Sequence, residues 1–345
     1  MTKPAVSLAI VAMIPLALLI FVPDAFFIVF AGLLLAIFLR TGGDWIASGL
    51  GVAVGWGSLA FALLVVLAMG GMFLTFAPQV AEQLEALYAD LPKALEFVRS
   101  TLSQYALGKT ILERITSEAI ISSSAPARAT AAISSTLGAL GSFVIILFIG
   151  LYGALDPNAY RKGFLSLLAP SLQSRGSEVL DRTGAALGSW LAAQLLSMTV
   201  VGVLTWMGLW LIGIPLSLLL GVIAALLAFL PNIGPLLAAV PAILLAFPSG
   251  GTVVALVAGV YITVQSLESY IITPLIQQEA IALPPAFVIA VQLVLGLLFG
   301  VLGLALATPI AAAGVAIVRE VYVKDYLSKE PETAELPKLI TQQKR

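Results

Sequence analysis

Few residues here have chemistry to offer, and the one that stands out is Glu268, in the stretch QSLESYIITPLIQ at 265–277. The nearest basic residues along the chain are Arg182 and Arg319, and apolar sequence lies on both sides. A charged side chain at the centre of a bilayer costs on the order of 3 kcal/mol on insertion scales, so it needs donors, water or a task. On a helix, Tyr261, Gln265 and Glu268 fall on one face, at i, i+4 and i+7. That face offers a phenol, an amide and a carboxyl. The set could hydrogen-bond the hydroxyls of a small polar solute, hold a monovalent cation or carry a proton. Pro274 ends or kinks the helix six residues further on. A polar stripe that stops at a helix break is the layout of a transporter's substrate or ion site. The alternative is a carboxylate merely capped and solvated at the membrane surface. Ser269 and Gln292 add polar groups to the same apolar half of the chain.

A second stretch is FLPNIGPLLAAVP at 229–241. Pro231, Gly234 and Pro235 prevent a continuous helix, and Asn232 can satisfy loose backbone groups or face a cavity. Either two half-helices meet here at membrane depth, or a tight turn joins two spans at the surface. Pro309, in LALATPI, marks a further break.

What is missing narrows the chemistry. With no cysteine and no histidine, the chain has no disulfides, no zinc site built from those ligands, and no Ser–His or Cys–His pair. There is no GxxxxGK[ST], so ATP-driven transport within this chain is not expected. No catalytic residue, metal or cofactor is expected, and an intramembrane enzyme is disfavoured. A net charge of −1 argues against nucleic acid as a partner.

The elements that must position these residues are membrane helices. The 345 residues are 60% hydrophobic and 10% charged, against roughly 25% charged in soluble domains. The apolar sequence comes in long continuous runs, which means helices rather than a barrel. Runs at 5–22 and 25–39 form a tight hairpin, with Asp24 able to cap the second helix. A third run covers 51–77, a fourth 136–155 and a fifth 188–212. From 213 to 318 Gly and Pro cut the sequence into short pieces, tolerated at membrane depth only where protein or a wet cavity receives the freed backbone groups. The expectation is an all-α polytopic protein of about eight spanning or re-entrant segments. Its divisions are N-terminal helices at 1–77, an extramembrane arm at 78–130, a transport region at 131–318 with a charged connection at 156–187, and a polar tail at 319–345.

The arm carries an apolar stripe at Val80, Leu84, Leu87, Leu91, Val98, Leu102 and Tyr105. Asp90 followed by Pro92 suggests a stop and restart of the helix. The arm is either a solvated helix or a contact to a neighbouring subunit. Its five basic and six acidic residues exert no net pull on topology. Lys3, Arg40, the basic cluster at 161–182 and the tail then place both termini in the cytoplasm.

Several of these pieces, in this order, resemble the autoinducer-2 exporter family of bacterial membrane proteins. FLPNIGPLLAAVPAILLAF is similar to that family's Pro-aromatic-Ile-Gly-Pro segment, with Asn232 where an aromatic is usual. QSLESYIITPLI is similar to its Gln…Glu-Asn-Tyr…Pro segment, with Ser269 in place of the Asn. LPPAFVIAVQLVLGLLFGVLGLALATPIAA is similar to its closing glycine-rich helix. The resemblance extends to about residue 327. It implies a multi-pass inner-membrane exporter, a homo-pentamer, whose cargo is the quorum-sensing signal autoinducer-2 or a related small polar solute. Some members resemble sodium/proton antiporters instead, with Glu268 as the titrating group. A passive channel or a membrane scaffold is the reading from outside that class. Carried over by position, Glu268, Pro274, Pro231, Gly234 and Pro235 match the family's characteristic residues.

Overall fold

The computed structural model describes residues 3–102, 125–272, 274 and 283–322. Among these residues every regular element is helical. In chain order they are α1 (Lys3–Phe21), α2 (Pro23–Leu50), α3 (Val54–Leu102), α4 (Ala125–Leu155), α5 (Pro157–Leu165), α6 (Pro170–Leu211), α7 (Ser217–Leu227) and α8 (Ile233–Ala246). A short 3-10 turn (Phe247–Ser249), α9 (Gly251–Leu267), a π-turn (Glu268–Ile272) and α10 (Pro285–Val318) complete the set. Tyr105, the far end of the arm and the tail beyond residue 322 lie outside the described residues.

Five stretches are long and apolar enough to cross a membrane: Pro23–Leu50, Val54–Phe97, Pro170–Leu211, Gly251–Ile271 and Pro285–Tyr322. The stretch Leu140–Leu155 joins α5 at a 90° bend. Asp156 makes that corner, accepting the Ala159 N–H at 3.2 Å as an N-cap, with Pro157 in the first turn. The chain is an all-α, multi-pass membrane protein.

Two local expectations change. Asp24 does not cap α2: Val22 is at the N-cap and Pro23 in the first turn, which puts Asp24 inside the helix. There its charge still complements the positive end of the helix dipole. Nor does the helix stop at Asp90, since α3 runs through Pro78 and Pro92 without interruption. The Asp90 carboxylate takes the Lys93 ammonium at 2.9 Å instead of a backbone N–H. Each proline removes one helix hydrogen bond, and at exposed Pro92 water can reach the carbonyl left free. The third span and the arm are therefore one helix of 49 residues, roughly 73 Å long. That is more than twice the ~30 Å of a hydrocarbon core, so its second half projects.

The projecting half packs back on its own chain. Val80, Ala86 and Leu87 join a core formed with Leu216, Leu219 and Leu220 of α7 and Val257 and Tyr261 of α9. Gln83 Oε1 accepts the Leu219 N–H at 2.9 Å, satisfying one of the orphan donors at the start of α7. Leu84, from the same sequence stripe, stays exposed.

The last element is not one long span. At Gly300 the backbone takes φ 66° and ψ −146°, a region that is essentially glycine's alone. The two arms, 285–299 and 301–318, then fold against each other. Gln292 Nε2 reaches Thr308 Oγ1 at 3.4 Å, across 16 residues that would separate them by about 24 Å in a straight helix. A Cβ on Gly303 would fall 2.2 Å from the Leu295 carbonyl oxygen. The helix continues through Pro309, so the expected break lies nine residues earlier than the proline. Its tip rests near the start of α2, where the Phe27 and Phe299 rings meet edge to face at 5.3 Å.

Candidate functional site

The site is organised by α6. Its apolar run LAAQLLSM carries two polar side chains three residues apart, Gln194 and Ser197, which therefore share a face. Both are buried, and each reaches a different neighbour. Gln194 Nε2 donates to the carbonyl oxygen of Ala228 at 2.7 Å, at the end of α7. Ser197 Oγ donates to Glu268 Oε1 at 2.7 Å, at the end of α9.

Glu268 is half-buried and opens the π-turn. This widened turn precedes Pro274, whose ring cannot follow a tight α-turn beneath the carbonyl four residues back. Single π-turns inside helices are frequent at functional positions. The second carboxylate oxygen of Glu268 accepts Gln265 Nε2 at 2.9 Å, and the same nitrogen lies 3.3 Å from Ser269 Oγ. Both donors to the carboxylate are neutral, and among the described residues no basic side chain pairs with it. The carboxyl is thus oriented by hydrogen bonds and, among the described residues, has no ionic partner.

The break after α7 supplies the neighbouring part. Helices α7 and α8, of 11 and 14 residues, are roughly 16 and 21 Å long, too short to span a hydrocarbon core. They form a tight hairpin. Gly234 lies against the end of α7, where a Cβ would sit 1.8 Å from the Leu227 carbonyl oxygen. The Gly234 N–H donates to the Leu230 oxygen at 2.9 Å. Pro231 and Pro235 flank the turn, which joins two short helices folded back on each other.

Asn232 stands at the tip of this turn with φ 68° and ψ −46°, the one non-glycine residue with positive φ among those described. The Ile233 N–H closes on the Pro231 oxygen at 2.8 Å across it, a three-residue turn of the rare, strained hand. Its side chain is exposed and makes no capping bond. Trp190 of α6 braces the turn through an edge-to-face contact with Phe229 at 6.2 Å.

Of the residues singled out in the sequence, Gln265, Glu268 and Ser269 are therefore brought together, and α6 holds the Asn232 hairpin beside them. Tyr261 and Gln292 make no hydrogen bond to this group. Tyr261 turns into the core and its hydroxyl has no partner. Gln292 is fully buried between the arms of the α10 hairpin, bonded to Thr308 with its own Oε1 unpartnered. Ser197, the closest partner of Glu268, is not among the residues that the sequence singles out. The available signal was a pair of polar residues at i, i+3 inside an otherwise apolar run. No group of three or more acidic side chains that could hold a metal ion occurs among the described residues.

A second polar cluster lies near the start of α6. Glu320, at the end of α10, is nearly buried, and Arg175 Nη2 donates to its backbone oxygen at 2.8 Å. Arg182 Nη1 reaches Glu320 Oε1 at 3.3 Å, and both arginines also bind Glu178, at 2.5 and 2.7 Å. The Arg175 hydrogen bond holds the Glu178 carboxyl below its ordinary value, with Arg182 adding to the effect. Ser7 Oγ accepts the Ala169 N–H at 3.1 Å. The start of α1, the 156–187 connection and the end of α10 are thus gathered at one end of the molecule.

Known proteins with similar sequences exist. The chain is 31% identical to "Putative transport protein YrrI" of Bacillus subtilis over 184 residues, 52% of each chain. YueF of the same organism, which carries the same designation, is 25% identical over 68% of this chain and 64% of its own. YhhT of Escherichia coli K12, again so designated, is 24% identical over 70% of this chain and 66% of its own. The aligned part thus spans about half to two thirds of these relatives. Residues 8–323 match the AI-2E family of transporters, and with that match covering most of its length the chain belongs to the AI-2E transporter family.

Proposed function

We propose that this membrane transporter exports a small polar solute by secondary transport, with the cluster of Ser197, Gln265, Glu268 and Ser269 at the centre of the solute or ion path and Asn232 at its hairpin gate. Autoinducer-2 or a related polyhydroxylated molecule fits as cargo. A carboxylate, an amide and two hydroxyls offer the mix of donors and acceptors that hydroxyl groups need. The observation that carries the reading is the setting of Glu268: a half-buried carboxyl held, among the described residues, by neutral donors, beside a hairpin of two short helices. Intramembrane acids of this kind mark substrate, ion or proton pathways. By the resemblance already described, the protein works as a homo-pentamer in the bacterial inner membrane, and its Lys and Arg distribution puts both termini in the cytoplasm. The Lys and Arg of the gathered end support that orientation.

That Glu268 has no ionic partner among the described residues favours one second reading, sodium/proton exchange. A carboxylate with no fixed counter-charge can trade a proton for a cation as the site faces each side in turn. Proteoliposomes separate the readings. Cargo efflux driven by a proton or sodium gradient supports solute export, and sodium flux that follows an imposed pH gradient without cargo supports exchange. Solute flux that runs only downhill and ignores both gradients makes the protein a channel. Vesicles that move neither solute nor cation at any pH refute transport.

A further inference from the structure

We propose that the cleft between the projecting half of α3 and the α6–α7 connection is a binding site for a small organic cation, separate from the Glu268 cluster. The cleft has a volume of about 720 Å³, within the 300–1,000 Å³ typical of small-molecule sites. Its wall on α3 is Phe76, Gln79, Glu82 and Gln83, and its wall on α6 is Trp206 and Trp210. Helical spacing explains both walls. Phe76, Gln79 and Gln83 recur at i, i+3 and i+7, and the two tryptophans at i, i+4.

The walls are anchored. Gln83 is fixed by the Leu219 N–H, and the Cα and Cβ of Trp206 lie against Gly221 of α7. The loop between the walls turns at Gly213, with φ 79°. Tryptophans are common at membrane surfaces for their own sake, but here a carboxylate shares their cleft. Glu82 is exposed and forms no ion pair among the described residues, and no Lys or Arg lines the cleft. Three aromatic rings and one unneutralised carboxylate select a positive charge with an apolar shell: the rings attract it through their faces and the carboxylate through its charge. A bare inorganic ion offers the rings nothing apolar to pack against, whereas a substituted ammonium brings both the charge and an apolar shell. This reading does not depend on Glu268, and Glu268→Gln leaves it untouched.

The test uses the full-length protein in neutral detergent. Choline is the probe, and its uncharged carbon isostere 3,3-dimethylbutan-1-ol is the control, each titrated by saturation-transfer NMR. Wild type binds choline saturably in the millimolar range or tighter and shows no saturable binding of the isostere. Glu82→Gln and Trp206→Leu each weaken choline binding roughly fivefold or more. Glu85→Gln, on the same helix but outside the cleft, leaves it unchanged. Size-exclusion profiles matching wild type show that the variants are folded. The proposal is overturned if choline does not saturate up to tens of millimolar, if the isostere binds equally well, or if Glu82→Gln binds as wild type does.

Discussion

A single methyl group at residue 234 tests the hairpin that frames the site. In Gly234→Ala the added Cβ would lie 1.8 Å from the Leu227 oxygen and 2.5 Å from the Leu227 carbonyl carbon, both backbone atoms that no rotamer change can move. Ordinary contact begins near 3.4 Å, so the turn must open by about 1.6 Å. Opening breaks the 2.9 Å bond from the Gly234 N–H to Leu230 and pulls Ala228 from Gln194. Overpacking costs about 1–3 kcal/mol and each of the two lost hydrogen bonds about 1 kcal/mol, for a total of about 3–5 kcal/mol. At about 2 °C per kcal/mol for a chain of this size, the melting temperature should fall by roughly 6–10 °C. The assay is thermal unfolding of the purified protein in detergent, followed by size exclusion. Gly259→Ala is the control, because nothing lies within 4 Å of a Cβ there; it should melt with wild type or slightly above. A Gly234→Ala protein that melts with wild type and transports normally would refute the folded-back turn.

Three further outcomes follow from the same geometry. Gln194→Leu leaves the Ala228 carbonyl buried without its donor, which should cost about 1–3 kcal/mol and be visible in the same melt. Gly300→Ala meets no steric obstacle but forces alanine into φ 66° and ψ −146°. Strain alone should cost about 1–3 kcal/mol, and a melt identical to wild type would contradict the second hairpin. Glu178 gives a pH signature. Because its folded carboxyl is held low by Arg175, the contribution of this bridge is complete above the unfolded glutamate value of about 4.3 and is lost as pH falls through the lower folded value. Melting temperature should therefore show no loss from this bridge between neutral pH and about pH 5. Its acid decline should be shallower in Glu178→Gln.

Class and outline were legible in the sequence because they rest on strong signals. Long uncharged runs demand helices, and a lone Glu268 amid hydrocarbon marks itself by its cost. The break at Pro231–Pro235 was equally plain, since two prolines and a glycine cannot continue a helix. What the sequence hid were relations across the fold. Ser197 is one hydroxyl among many until α6 places it 2.7 Å from Glu268. Gly300 is one of several glycines in the closing glycine-rich run, yet it is where the chain reverses, because nothing local separates a packing glycine from a turning one. Asp90–Pro92 read as a boundary, although an exposed proline costs a helix one bond and does not always end it. Tyr261 shares a helical stripe with Gln265 and Glu268 in projection, but its ring is claimed by the core.

The account turns on Glu268, and one measurement addresses it directly: flux through proteoliposomes of wild type and Glu268→Gln, side by side, under an imposed proton or sodium gradient. Gln keeps the size and one acceptor oxygen, so the hydrogen bond from Ser197 can persist while the charge is gone. Gradient-driven movement of cargo or cation should fall at least about tenfold, equivalent to about 1.4 kcal/mol, with the melting temperature nearly unchanged. If Glu268→Gln moves both at the wild-type rate with the wild-type dependence on the gradient, the carboxylate is structural and the transport centre lies elsewhere.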